Sequence, residues 1–299
     1  MHSFLRTIGF SDGHINEYEI NILLDEICRQ YDHMVSVMGK QANAAFMELS
    51  RSFGEGIGIT VCGQMDGRGF HRVNYFPYLK GTGVTSEENI AVQLRSDGDS
   101  YVGICDDGRV GVSLIFAVQN PGDYRRELRF HRLDKNVITT TLSGLSPEGC
   151  ILLPVYRQEQ ENSEEIHFRE DRSRTMAAAK NGDERAIQLL TLQDMDLYSM
   201  LQRRIAEEDI FSIVESSFMP FGMECDQYRI LGKILSVREI RNTHTGEILY
   251  RMTLNCNDLI FDICINRADL LGEPMAGRRF RGRIWLQGNI NFRRKSGVL

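Results

Sequence analysis

The stretch Gly277-Arg-Arg-Phe-Arg-Gly-Arg-Ile-Trp-Leu-Gln-Gly288 decides how the C-terminal part of the chain is read. Side chains of a β-strand alternate between two faces. As a strand, it therefore places Phe280, Ile284 and Leu286 on one side and Arg279, Arg281, Arg283 and Trp285 on the other. Strand patterns precede it at 229–241, 247–255 and 259–265, with turns over Asn242 to Gly246 and at Asn257-Asp258. A short helical or looped stretch covers 267–277, the quoted segment supplies a strand at 278–286, and a last strand follows at 289–293. Five strands in about 70 residues, interrupted between the third and fourth, predict a small OB-like β-barrel. An SH3-like barrel or a simple meander fits nearly the same string.

Towards the N-terminus the pattern is mixed. A helix is expected from Ile15 to Tyr31, where Asn16 and Glu19 have capping-box spacing and Tyr18, Ile22, Leu23 and Ile27 recur helically. A second helix is expected from Lys40 to Phe53, ended by Gly54, Gly56 and Gly58. Strands then follow at 59–64, 71–79, 90–95, 100–105, 110–118, 124–132, 136–142 and 150–155. Their connections are turn formers such as Asp97-Gly98, Asp107-Gly108 and Asn120-Pro121-Gly122, which favour antiparallel pairing. Residues 157–175 are charged and poor in apolar anchors; helices follow at 173–180 extended by 183–190, and at 192–218. The expectation is an α+β chain in three parts. Residues 1–156 form a domain of two helices and a largely antiparallel sheet, 157–227 a charged linker and helical connector, and 228–299 the barrel domain.

With 299 residues, 42% of them hydrophobic and 25% charged, the chain has ordinary globular composition and length for two domains. Apolar runs such as Ile151 to Val155 are too short to span a bilayer, and Met1 to Arg6 lacks the features of a secretory leader. The 7 cysteines are an odd number, widely spread and without C-x-x-C spacing, which predicts reduced thiols rather than disulfides or a zinc site. A cytoplasmic protein with no membrane association, no metal and no cofactor is expected.

Signatures of chemistry are weak. Gly54-x-Gly56-x-Gly58 precedes a strand, whereas a dinucleotide loop follows one and opens a helix. The acidic turns near Asp97 and Asp106 lack the ligand spacing of a calcium loop, and Asp194 and Asp196 fall in the first turn of an expected helix. Cys62, Cys105, His71 and His131 lie on neighbouring expected strands; a cysteine site is one reading and core thiols the other.

The arginine-lined face of residues 279–285 is the lead. Three guanidiniums and an indole suit an anion, although such a row also serves to pair with the chain's own acids or to keep a sheet edge soluble. Residues 226–299 carry 13 Lys and Arg against 7 Asp and Glu, while residues 1–225 carry 22 against 34. That opposition attracts either an anionic partner or the acidic part of the same chain. Only Trp285 among the barrel aromatics is patterned outward, which weighs against base stacking with single-stranded nucleic acid.

The runs Leu190-Thr-Leu-Gln-Asp-Met-Asp-Leu-Tyr198, Arg204-Ile-Ala-Glu-Glu-Asp-Ile210, Phe218-Met-Pro-Phe-Gly222 and Glu224-Cys-Asp-Gln-Tyr228, with the opening Met1-His-Ser-Phe-Leu-Arg-Thr-Ile-Gly-Phe10, resemble an uncharacterised clostridial-type bacterial family. That family is called domain of unknown function 3881, and the resemblance covers essentially the whole chain. It implies a cytoplasmic bacterial protein and transfers no functional residue. The expected function is a non-enzymatic binding or interaction protein whose barrel face of Arg279, Arg281, Arg283 and Trp285 meets an anionic partner, a protein surface or nucleic acid. The alternatives are a hydrolase or transferase with its site in the N-terminal domain, and a nucleic-acid-binding protein.

Overall fold

The computed structural model describes residues 3–11, 16–39, 44–95, 100–133, 136–154, 175–176, 178–179, 183–190 and 214–294. Helix α1 (Glu17–Arg29) starts at the capping box: Asn16 Oδ1 accepts from the Glu19 amide at 3.0 Å, and Glu19 Oε2 from the Asn16 amide at 2.8 Å. Its buried stripe is Ile20, Leu23, Leu24 and Ile27. That stripe joins Phe53, Ile57, Ile59 and Val61 in one apolar cluster. These last residues belong to a four-stranded antiparallel sheet of β1 (His33–Met38), β2 (Ala45–Gly54), β3 (Ile57–Asp66) and β4 (Gly69–Leu79), hydrogen-bonded in that order.

The expected helix over Lys40 to Phe53 is corrected to strand β2 where it is described, and β1 was not expected at all. Phe46, Leu49 and Phe53 have spacings of three and four, which fit a helical stripe. The intervening Glu48, Ser50 and Ser52 fit strand alternation equally, and pairing on both sides decides between the two. The expected strand at 124–132 is corrected as well. It is helix α2 (Pro121–Arg129), with Pro121 at its first position, where a fixed φ and a missing N–H cost nothing.

The remaining strands make a second sheet: β5 (Ile90–Leu94), β6 (Tyr101–Cys105), β7 (Leu114–Val118), β8 (Asn136–Leu152), β9 (Ser217–Pro220), β10 (Gln227–Arg241), β11 (Ile248–Cys256), β12 (Leu259–Asn266), β13 (Leu270–Leu271) and β14 (Arg279–Arg294). Strands β10, β11 and β12 form an antiparallel meander. The turn between β11 and β12 holds Asn257 at φ 54° and Asp258 at φ 62°, a left-handed pair that these residue types tolerate. Strand β12 pairs in parallel with β8, β8 antiparallel with β14, and β14 antiparallel with β10, so this path of pairings returns to its start. Tyr228, Ile230, Ile234, Met252, Leu254, Phe261, Ile263, Phe280, Ile284 and Leu286 share one buried cluster. The alternation read from residues 277–288 thus assigns the inward side chains correctly.

The three-part division does not survive. Residues Met1–Leu152 and Ser216–Leu299 form one compact unit, and Leu153–Glu215 a second. The reason is β8: its backbone groups are satisfied by C-terminal strands, and a buried strand must find such partners wherever they lie in sequence. The expected pair of strands at 136–142 and 150–155 is this one long strand as far as Leu152, and the pair at 278–286 and 289–293 is β14.

In the second unit, residues 184–190 are helical, with Asp183 accepting from the amides of Arg185 at 2.9 Å and Ala186 at 3.4 Å as an N-cap. The expected linker to 174, and the helix expected over 192–218 as far as residue 213, lie outside the described residues; Ser217 and Phe218 are in β9. Among the described residues no helix is long and apolar enough to cross a membrane.

Candidate functional site

The arginine-lined face is not an open stripe. Arg279 is 5% exposed and Trp285 is 8% exposed. The indole Nε1 donates to Asp226 Oδ2 at 2.8 Å, and the ring stacks on Phe4 with centroids 5.1 Å apart. Arg281 and Arg283 are half-buried. Arg283 lies 3.9 Å from Glu148 Oε1 and 5.5 Å from the centre of the Phe221 ring. Outward on this strand does not mean towards water, because Trp285 belongs to the cluster built by α1 and the N-terminal segment.

The cysteines and histidines are dispersed. Cys105 belongs to the core cluster within the second sheet, and His71 is exposed beside Asp66 at 3.2 Å. Cys62 is buried and lines a cavity of about 240 Å³, and burial pushes its thiol well above the ordinary range. Such thiols are inert. Among the described residues no group of three His, Cys, Asp or Glu is placed to hold a metal.

A different site emerges from the face of the first sheet turned away from α1. Strand registry sets His33 beside Ser50 and Ser50 beside Thr60; one step along, it sets Val35 beside Glu48 and Glu48 beside Cys62. Tyr78 faces Gly58 across the next pair. This row is polar, and α2 covers it without filling it. A cleft of about 500 Å³ remains, with Glu48, Ser50, Thr60 and Tyr78 on one side and Asn120, Asp123, Thr141, Asn289 and Asn291 on the other.

Two contacts position α2 there. Asn120 makes a paired bond to β14, donating from Nδ2 to the Ile290 carbonyl and accepting at Oδ1 from the Ile290 amide, both at 2.9 Å. The Gly122 amide, orphaned at the helix start, donates to Glu48 Oε2 at 2.8 Å. A Cβ at Gly122 would lie 2.8 Å from Val35 Cγ1 and 2.9 Å from that carboxyl oxygen, so the approach requires glycine.

The walls are held by amides and hydroxyls. Gln119 Nε2 donates to Gln287 Oε1 and to the Leu79 carbonyl, each at 2.8 Å, and Gln287 Nε2 donates to the Pro77 carbonyl at 2.8 Å. This splices the first sheet's last strand to β14. Asn289 donates to Asn291 at 3.0 Å, and Asn291 donates to Thr141 Oγ1 at 3.0 Å.

The charge of the cleft is set by Asp32, Glu48 and Asp123 against Lys80, whose Nζ lies 5.8 Å from the centre of the Tyr78 ring. Glu48 is only 4% exposed. Burial pushes its carboxyl from the ordinary 4.5 up to about 7; the Gly122 N–H opposes the rise, Asp123 adds to it and Arg126 opposes it. At neutral pH this group is divided between donor and acceptor forms. Burial, with Asp32, pushes the Tyr78 phenol up to about 12, so it remains a donor.

Glu48 is not singled out by the sequence, and Asn120 is read there only as part of a turn. The available signals were the alternation Glu48-x-Ser50-x-Ser52, hidden by the helical expectation, and Asn120-Pro121, which marks a helix start as well as a turn.

Fold and site define a strand-rich α+β protein with a covered polar cleft between its two sheets. The chain belongs to the family described as a domain of unknown function, E. rectale gene description (DUF3881), whose family model matches residues 5–288. No curated protein and no solved structure matches it.

Proposed function

We propose that the protein binds a small polar ligand, neutral or cationic, in the cleft floored by Glu48. The observation that carries this is a carboxyl buried to 4% exposure at the base of a hydrogen-bonding cavity of about 500 Å³. A cleft of small-molecule size with a perturbed acid is a candidate binding site, and its almost wholly polar lining suits a polar ligand. Asp32, a partly ionised Glu48 and an Asp123 paired with Arg126 at 2.6 Å, against Lys80, disfavour anions. The burial of Arg279 and Trp285 gives this cleft precedence over the arginine face as a contact for an anionic partner.

In this reading the second wall is an OB-like barrel. The returning path β10–β11–β12–β8–β14 supports it, with β8 taking the place of a last barrel strand although it precedes the others in sequence. A bacterial cytoplasm is the proposed setting, supported by seven free thiols, four of them buried.

The test is ligand-observed NMR on the full chain with a panel of polyols, monosaccharides, amines and dicarboxylates. Binding is expected among the neutral or cationic compounds and lost in Glu48→Ala. A panel in which only dicarboxylates bind, or in which the variant binds as well as the parent, contradicts the proposal. Glu48 also favours a second reading, acid–base catalysis on the bound ligand, because a general acid works best with its pKa near the operating pH. Turnover of a bound compound, with a pH limb near 7 that vanishes in Glu48→Gln, distinguishes an enzyme from a binding protein.

A further inference from the structure

At the other end of α2 the chemistry reverses. A groove of about 720 Å³ opens between the end of that helix and the last residues of β1, the edge strand of the first sheet. Val37, Phe46, Tyr101 and Leu128 supply apolar walls, and Arg125, Arg129 and His131 supply the polar groups; among the described residues no acidic side chain lines it. We propose that this groove is a second binding site, for a small amphipathic carboxylate whose head group pairs with Arg125.

Arg125 is the centre of the proposal. Its guanidinium lies 4.0 Å from the centroid of Phe46 and 5.2 Å from that of Tyr101, so two aromatic rings hold the group in place. Its Nε is buried and has no hydrogen-bond partner among the described residues. The Arg125 side chain lines the groove, where a carboxylate meets its guanidinium with charge as well as geometry. Arg129, on the rim, donates to the Met38 carbonyl and ties helix to strand at this end.

The body of the ligand follows from the walls. Met38 is 52% exposed and Leu128 is 48% exposed, which leaves apolar surface in water beside the cationic floor. A phosphate or other compact dianion would leave that surface uncovered. A monocarboxylate with a hydrocarbon or aromatic body covers it. The proposal does not depend on the Glu48 cleft, which is acidic where this groove is basic.

The experiment is isothermal titration of the full chain with decanoate, 3-phenylpropionate and decanol. At least one carboxylate is expected to bind. Decanol should bind about tenfold or more weakly than decanoate if the fatty acid is the ligand, since it lacks the charge-assisted bond. Binding by 3-phenylpropionate alone assigns an aromatic acid. Arg125→Gln is expected to weaken the carboxylate by about tenfold or more. Because Arg125 also packs against two rings, Leu128→Glu provides a variant at an exposed position that sets a negative charge on the wall, and it should weaken binding to a similar extent. The proposal is overturned if neither carboxylate binds, if decanol matches decanoate, or if Leu128→Glu leaves the affinity unchanged.

Discussion

The two faces of the first sheet are made by the same four strands and do opposite work. Towards α1, Phe53, Ile57, Ile59 and Val61 are buried against Ile20, Leu23, Leu24 and Ile27 in a filled apolar layer. Away from α1, Glu48, Ser50, Thr60 and Tyr78 border a cleft that is covered but not filled. Each large apolar side chain on the first face contributes about 1.5–3 kcal/mol by burial. The second face supplies donors and acceptors whose hydrogen bonds to water must be replaced on folding. A covered polar face beside a filled apolar one therefore marks where stability ends and recognition begins.

The largest effect is expected on the filled face. Ile59→Ala should lower stability by about 2–5 kcal/mol in urea denaturation, because a closely packed layer relaxes only partly around the deletion. A loss under 1 kcal/mol would mean that this layer is loosely packed, and the contrast between the faces would fail.

Next comes Glu48→Gln, whose effect depends on pH. The folded chain holds the Glu48 proton more tightly than the unfolded chain, with the pKa raised from 4.5 to about 7. Its contribution to stability is therefore greatest below pH 4.5, falls as pH rises to about 7 and is level above that. Glutamine carries no such penalty and still offers an oxygen to the Gly122 amide. The variant should match the parent near pH 4 and exceed it by up to about 3 kcal/mol at pH 8. A difference independent of pH would show that Glu48 is an ordinary carboxylate.

Gly122→Ala should cost about 1–3 kcal/mol by overpacking against Val35 and Glu48, and should shift the start of α2 away from the cleft. The smallest stability change is expected for Asn291→Leu. Its Nδ2 bonds to Thr139 and Thr141 are part-buried, so stability should fall by about 1 kcal/mol or less while binding in the cleft weakens. A large stability loss with intact binding would reverse the roles assigned to the two faces.

What was legible in the sequence was local. Asn16 and Glu19 announce α1 because a capping box is completed within four residues. Asn257-Asp258 announces its turn, and the alternation around Phe280, Ile284 and Leu286 finds the inner face of β14. The failures needed partners distant in sequence. Residues 46–53 satisfy a helical and a strand period together, and only β1 and β3 on either side decide between them. The strand at 136–152 carries no mark that its partners begin at Leu259, so the domain boundary was misplaced. Trp285 alternates outward as expected, but nothing near it in sequence shows that Phe4 covers it. The cleft was hidden for the same reason, since Glu48, Tyr78, Asn120, Thr141 and Asn289 come from five separate segments.

The most direct test of the account is the titration of the Glu48 side-chain carboxyl by carbon-13 NMR, assigned by comparison with Glu48→Gln. A buried Glu48 titrates with a midpoint near pH 7, displaced when a ligand occupies the cleft. A midpoint at the ordinary value of 4.5 would contradict it, because Glu48 would then be an open, solvated carboxylate and not the buried floor of a binding site.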